Sequence, residues 1–117
     1  MKKINLQIGG QYRDFYFGLG FLGNLLESEN ISIQDIGEKT VQNPYKWNPL
    51  IMYYSCAYGF TRKNERPLFD AFDVTEWIEE AGGFEGELFL QWQDAFVKSL
   101  TKDVPEDKSS KKKIVKK

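Results

Sequence analysis

Residues 18–23 read Gly-Leu-Gly-Phe-Leu-Gly, the Gly-x-Gly-x-x-Gly spacing with which dinucleotide-binding proteins seat a pyrophosphate at a helix N-terminus. A strand-like run, QYRDFYF, precedes the motif and a helix-like run, NLLES, follows it. Glu38 falls 20 residues beyond Gly18, the separation at which an acid meets a ribose. That chemistry requires a βαβ unit with a second, parallel strand. Here the preceding strand belongs to an antiparallel hairpin, Glu38 sits in a helical segment, and no later segment reads as the second strand. Leu19, Phe21 and Leu22, at the variable positions, look destined for the core. The glycines then have a structural use: they bend the chain out of the hairpin and let the next helix approach closely. Inside that helix Gly23 costs up to ~1 kcal/mol relative to alanine.

The remaining candidates for chemistry are sparse. The chain has no histidine, which removes the commonest general base, the usual triads and most transition-metal sites. Cys56 lies among Tyr53, Tyr54 and Ala57 with nothing to activate it, and reads as a small buried hydrophobe. Glu76, Glu79, Glu80, Glu85 and Glu87 gather around Gly82-Gly83, but without the alternating oxygen ligands of a calcium loop they read as a solvated face. The expectation is a non-catalytic protein with no cofactor and no metal.

Aromatic residues divide into two sets. Trp77 lies on an acidic helix, while Phe89, Trp92 and Phe96 recur at helical spacing, and all four read as core. Tyr12 and Tyr16 fall on the polar face of the hairpin, and Tyr45 and Trp47 in a turn. These four are expected in part at the surface, either as a protein-binding patch or as incompletely buried side chains. Lys111, Lys112 and Lys113 belong to a lysine-rich end that either solvates the chain or contacts an acidic or phosphate-bearing partner.

The elements that must position these residues follow from composition and periodicity. At 117 residues, 41% hydrophobic and 15% aromatic, the chain suits one domain with a closed core, spanning 1–102. No apolar run is long enough for a membrane span or a signal peptide, and one cysteine permits no internal disulfide, so a cytoplasmic location is expected. Charge is unevenly shared. Residues 1–101 carry nine Lys+Arg against fourteen Asp+Glu, a formal −5, whereas 102–117 carry seven Lys against three acids, a formal +4. The aperiodic, charged segment 103–117 is expected to be a disordered tail.

INLQI-GG-QYRDFYF predicts a hairpin with Gly9-Gly10 as its two-residue turn. Pairing Ile8 with Gln11 puts Ile4, Leu6, Ile8, Phe15 and Phe17 on one face, and Lys3, Asn5, Gln7, Tyr12, Asp14 and Tyr16 on the other. The apolar face needs a helical lid, because an isolated hairpin is marginal in water. The first helix is expected over 19–28, with Leu22, Leu25 and Leu26 on one side. A second is expected over 33–42, capped by Ser32, with Ile33, Ile36 and Val41 inward. Two Asn-Pro steps predict a short turn at Pro44 and a buried third helix from Pro49 to about Arg62. KNERPLFDAF reads as a loop. The capping spacing from Asp73 to Glu76 opens a fourth helix ending at Ala81, where Gly82-Gly83 stops it. A fifth helix covers 85–102, with Phe89, Trp92, Phe96 and Leu100 in one stripe. The fold class is α+β: an N-terminal two-stranded antiparallel hairpin packed on four to five short helices.

The order of these features, a hairpin running into YFGLGFLGNLLE, then NPYKWNPLIMYYSCAYGF, DVTEWIEEAGG, an amphipathic helix and a lysine-rich end, resembles the tail assembly chaperones of long-tailed bacteriophages over most of the chain. Gly23 departs from that pattern, in which the position is often acidic. The resemblance implies a protein that coats the tape-measure protein, keeps it soluble, helps recruit tail tube subunits and is absent from the mature virion. Self-association along the client, and a frameshifted longer form arising near Lys111, Lys112 and Lys113, are further implications. The alternative from a different class is a small regulator that binds nucleic acid through its basic tail. The acidic body disfavours it, since repulsion confines such binding to the tail.

Overall fold

The N-terminal segment forms the hairpin that its alternation dictates. In the computed structural model, which describes residues 2–102, β1 (Lys2–Ile8) pairs antiparallel with β2 (Gln11–Phe17). The register sets Ile8 opposite Gln11, Leu6 opposite Arg13 and Ile4 opposite Phe15, as the turn predicts. Gly9 and Gly10 take φ of 66° and 86°, the left-handed pair that matches the strand twist. A side chain on Gly9 has no room: its Cβ would lie 2.7 Å from the Trp77 indole. Arg13 ties the turn down on the same side. Its Nε donates to the Ile8 carbonyl at 2.9 Å and its Nη2 to the Gly9 carbonyl at 3.0 Å, while the guanidinium lies 3.8 Å from the centre of the Trp77 ring.

Among the described residues five helices complete the α+β fold: α1 (Leu19–Glu29), α2 (Ile33–Gln42), α3 (Pro44–Thr61), α4 (Ala71–Glu80) and α5 (Glu87–Lys102), with a 3-10 turn at Gly83–Glu85 before the last. None of the described helices is long and apolar enough to cross a membrane. Leu6, Ile8, Phe15 and Phe17 of the hairpin pack into one core with Phe21 and Leu25 of α1, Ile51 and Met52 of α3, and Phe89, Trp92 and Phe96 of α5. Aromatic rings form its centre: Phe21 meets Phe96 edge-on at 5.9 Å, and Trp92 stacks on Phe96 at 5.3 Å. The fully buried Trp92 donates its indole N–H to Ser55 Oγ at 3.0 Å, and Ser55 donates in turn to the Met52 carbonyl at 2.7 Å. Two buried polar groups are thereby satisfied together.

Several expectations are corrected. α3 is one helix from Pro44, not a turn followed by a helix from Pro49. Pro44 takes the N-terminal position that suits proline. Pro49 lies inside, where its ring cannot donate to the Tyr45 carbonyl, but it is buried and its fixed φ is already helical. Breaking the most buried helix would lose more than that one hydrogen bond. α4 likewise begins a turn earlier than expected. Asp70 is its cap, accepting from the Asp73 N–H at 3.0 Å, and Asp73 returns the bond from the Asp70 N–H at 2.9 Å, so Asp73 is the inner member of the box. Ser32 caps α2 as expected, and Asp35 joins it in a capping box, its carboxylate accepting from the Ser32 N–H at 2.8 Å; yet only Ile36 of that helix is buried, and Ile33 and Val41 face solvent. A short peripheral helix packs mainly on α3 and buries one narrow stripe against it. Leu19 is also exposed, since the first turn of α1 projects beyond the hairpin.

Candidate protein-binding surface

Cys56 is buried, and burial pushes its thiol up to about 12, so it is a protonated apolar side chain at neutral pH. Among the described residues no three His, Cys, Asp or Glu side chains converge as metal ligands would. The glycines of residues 18–23 serve three separate ends. Gly18 makes the corner between β2 and α1 at φ 117°. Gly20 lets α1 approach α3, because a Cβ there would fall on the Tyr58 hydroxyl. Gly23 faces open space. The one described sheet has two antiparallel strands, so the motif has no βαβ unit around it.

The four aromatics expected at the surface separate into pairs. Tyr12 and Tyr45 are 69% and 78% exposed, whereas Tyr16 and Trp47 are each only 8% exposed. Tyr16 is on the polar face of the hairpin, as its register requires, but α3 runs along β2 and covers it. Its ring meets Tyr58 edge-on at 6.0 Å and fills the space left by Gly59, where a Cβ would strike it. Trp47 belongs to the first turns of α3, before the helix start expected at Pro49, and the ammonium groups of Lys39 and Lys46 lie 5.4 Å and 5.2 Å from its ring centre. Both residues are therefore packing elements. Lys111, Lys112 and Lys113, with the expected tail 103–117, lie outside the described residues.

Tyr45 stands on the rim of a groove that does look outward. Its ring stacks on Phe84 at 5.8 Å and 26°, and Phe84 packs in turn on buried Phe89 at 4.8 Å. The groove holds about 300 Å³ and runs between α3, α4 and the 3-10 turn. Tyr45 and Pro49 form one wall, Thr75, Ile78 and Glu79 the other, and Gly83 and Phe84 close the end. Gly82 and Gly83, at φ 104° and 78°, reverse the chain after α4 and deliver Phe84 to that position. Phe72 is exposed one turn before Thr75 and continues the same face of α4. The α4 and 3-10 side of the groove carries one sign of charge. Glu76, Glu79, Glu80, Glu85 and Glu87 are all exposed, and no Lys or Arg occurs between Arg66 and Lys98.

Sequence reasoning found Tyr45 and the glutamates but not the groove. Phe72 falls in a segment that reads as loop, and Phe84 in the gap between the Gly82-Gly83 stop and the fifth helix expected from 85. The Asp70-x-x-Asp73 spacing was the available signal for an earlier α4, which places Phe72, Thr75 and Glu79 on one face. A second, hydroxyl-rich cleft lies between α1 and α3, where the Tyr54 hydroxyl donates to Glu29 Oε2 at 2.7 Å; burial and this bond push its phenol up to about 12.

Comparison with protein-family models, with curated proteins and with solved structures finds no significant match to this chain.

Proposed function

We propose that the protein is a tail assembly chaperone of a long-tailed bacteriophage, acting in the host cytoplasm to hold the tape-measure protein soluble until the tail tube forms around it. The observation that carries the reading is the apolar groove with Tyr45 on its rim, an exposed ring held in place by Phe84. Such a groove suits an amphipathic helix laid in by its apolar face. The order of sequence features that resembles these chaperones supplies the identity of the client.

The energetics suit reversible holding. One apolar side chain buried in a groove contributes about 1.5–3 kcal/mol, and association entropy offsets much of what a few such contacts supply. Individual binding is then weak, while many copies along one extended client reach high occupancy through multivalency. Recruitment of tail tube subunits belongs to the same proposal, through surfaces left free on the bound copies.

Co-expression with the neighbouring tape-measure product tests the reading. The client is expected in the soluble fraction and co-purifying with this chain. A client equally insoluble with and without it refutes the proposal.

A further inference from the structure

The groove differs from a generic apolar surface in its electrostatics, and this narrows what it can take. Its walls are Tyr45, Pro49, Ile78 and Phe84, but Glu79 stands in the wall itself. Glu76 and Glu80 flank Glu79 on α4, and Glu85 stands beyond Phe84. The nearest cation in sequence on the α3 side, Lys46, lies over the Trp47 ring. An occupant that covered this groove with acidic flanks would bring carboxylates against carboxylates in a partly desolvated setting, where like charges repel most strongly.

We infer that the groove between α3, α4 and the 3-10 turn takes an amphipathic helix whose apolar face is bordered by lysine or arginine. α4 has ten residues, about 15 Å of helix, so it can border roughly three turns of an occupant lying alongside it. Apolar side chains at i, i+3 or i+4 and i+7 enter between Tyr45 and Ile78, and basic residues on the adjoining positions reach Glu79 and its neighbours. Charge selects the partner and its orientation; apolar burial holds it. The inference builds on the client-holding reading and adds the chemistry of the client segment.

The test uses the full chain and two fluorescent peptides of about 18 residues with one leucine face, flanked by lysine in one and glutamate in the other. Fluorescence anisotropy is expected to show binding of the lysine peptide only, weakening as salt is raised. Tyr45→Ser and Glu79→Lys, both at exposed positions, are each expected to weaken it about tenfold with unchanged thermal melting. Tyr12→Ser, exposed but outside the groove, is expected to leave it unchanged. Equal binding of the glutamate peptide, or full binding by the well-folded Tyr45→Ser and Glu79→Lys chains, overturns the inference. So does self-association that Tyr45→Ser abolishes, because the occupant is then a second copy. Co-expression separates the two ideas. If wild type and the Tyr45→Ser, Glu79→Lys double variant protect the tape-measure protein equally, the groove assignment falls and the chaperone reading stands. If wild type gives no protection, the chaperone reading falls whatever the peptides do.

Discussion

The three glycines of residues 18–23 carry opposite consequences for one substitution, Gly→Ala. At Gly23, in the interior of α1 with open space around its Cα, a methyl group touches nothing and removes backbone entropy from the unfolded chain. The gain is about 0.5–1 kcal/mol. At Gly20 the same propensity gain is opposed by sterics, because the new Cβ falls on the Tyr58 ring and hydroxyl. Tyr58 cannot swing freely, since it packs edge-on against buried Tyr16, so an overpacking cost of about 1–3 kcal/mol outweighs the gain. At Gly18, φ of 117° with ψ of −167° is a conformation open essentially to glycine alone, and alanine there costs about 1–3 kcal/mol. For a domain of this size, 1 kcal/mol moves Tm by about 4–8 °C. Thermal unfolding followed by circular dichroism is expected to place Gly23→Ala above wild type and Gly20→Ala and Gly18→Ala below it. If Gly20→Ala stabilises as much as Gly23→Ala, α1 does not approach α3 as described. If all three melt together, the corner at Gly18 is wrong as well.

Other consequences can be measured in the same way. Ser55→Ala leaves the buried Trp92 indole N–H without its acceptor and is expected to cost about 1–3 kcal/mol in urea unfolding at unchanged m-value. Asp70→Ala removes the cap of α4 and is expected to cost about 0.5–2 kcal/mol, whereas Glu76→Ala, outside the box, is expected to shift stability by less than about 0.5 kcal/mol. Cys56 and Tyr54 both have folded pKa values raised to about 12, above their ordinary 9.0 and 10.0. Unfolded chains therefore ionise first, so stability is fully present below about pH 9 and is lost as pH rises toward 12. Cys56→Ala is expected to flatten that alkaline loss, and the native thiol is expected to resist thiol-specific reagents at neutral pH.

Local rules were strong wherever a residue's conformation depended on its chain neighbours. Gly9-Gly10 fixed the turn, and the turn fixed every pair in the hairpin register. Ser32 with Asp35 fixed the start of α2, and the stripe through Phe89, Trp92 and Phe96 identified the buried face of α5. The same rules misplaced the two proline steps and the α4 cap. In both regions two valid local signals overlapped, and the choice rested on packing elsewhere in the chain. A proline at either Asn-Pro step can open a helix, and both Asp70-x-x-Asp73 and Asp73-x-x-Glu76 have capping spacing.

Sequence by itself determined the α+β class, the hairpin and its register, the five helices of the described residues and the absence of histidine. These follow from periodicity, turn chemistry and composition, which act over a few residues. Tertiary structure decided which aromatics are surface and which are core. Tyr12 and Tyr16 share one face of β2, yet α3 covers only Tyr16; Tyr45 and Trp47 lie two residues apart, yet the helical turn sends one outward and the other inward. The groove is likewise a tertiary product, built from α3, α4 and the 3-10 turn. No single segment contains it, because exposure depends on which distant element arrives to cover a side chain, and local pattern does not encode that arrival.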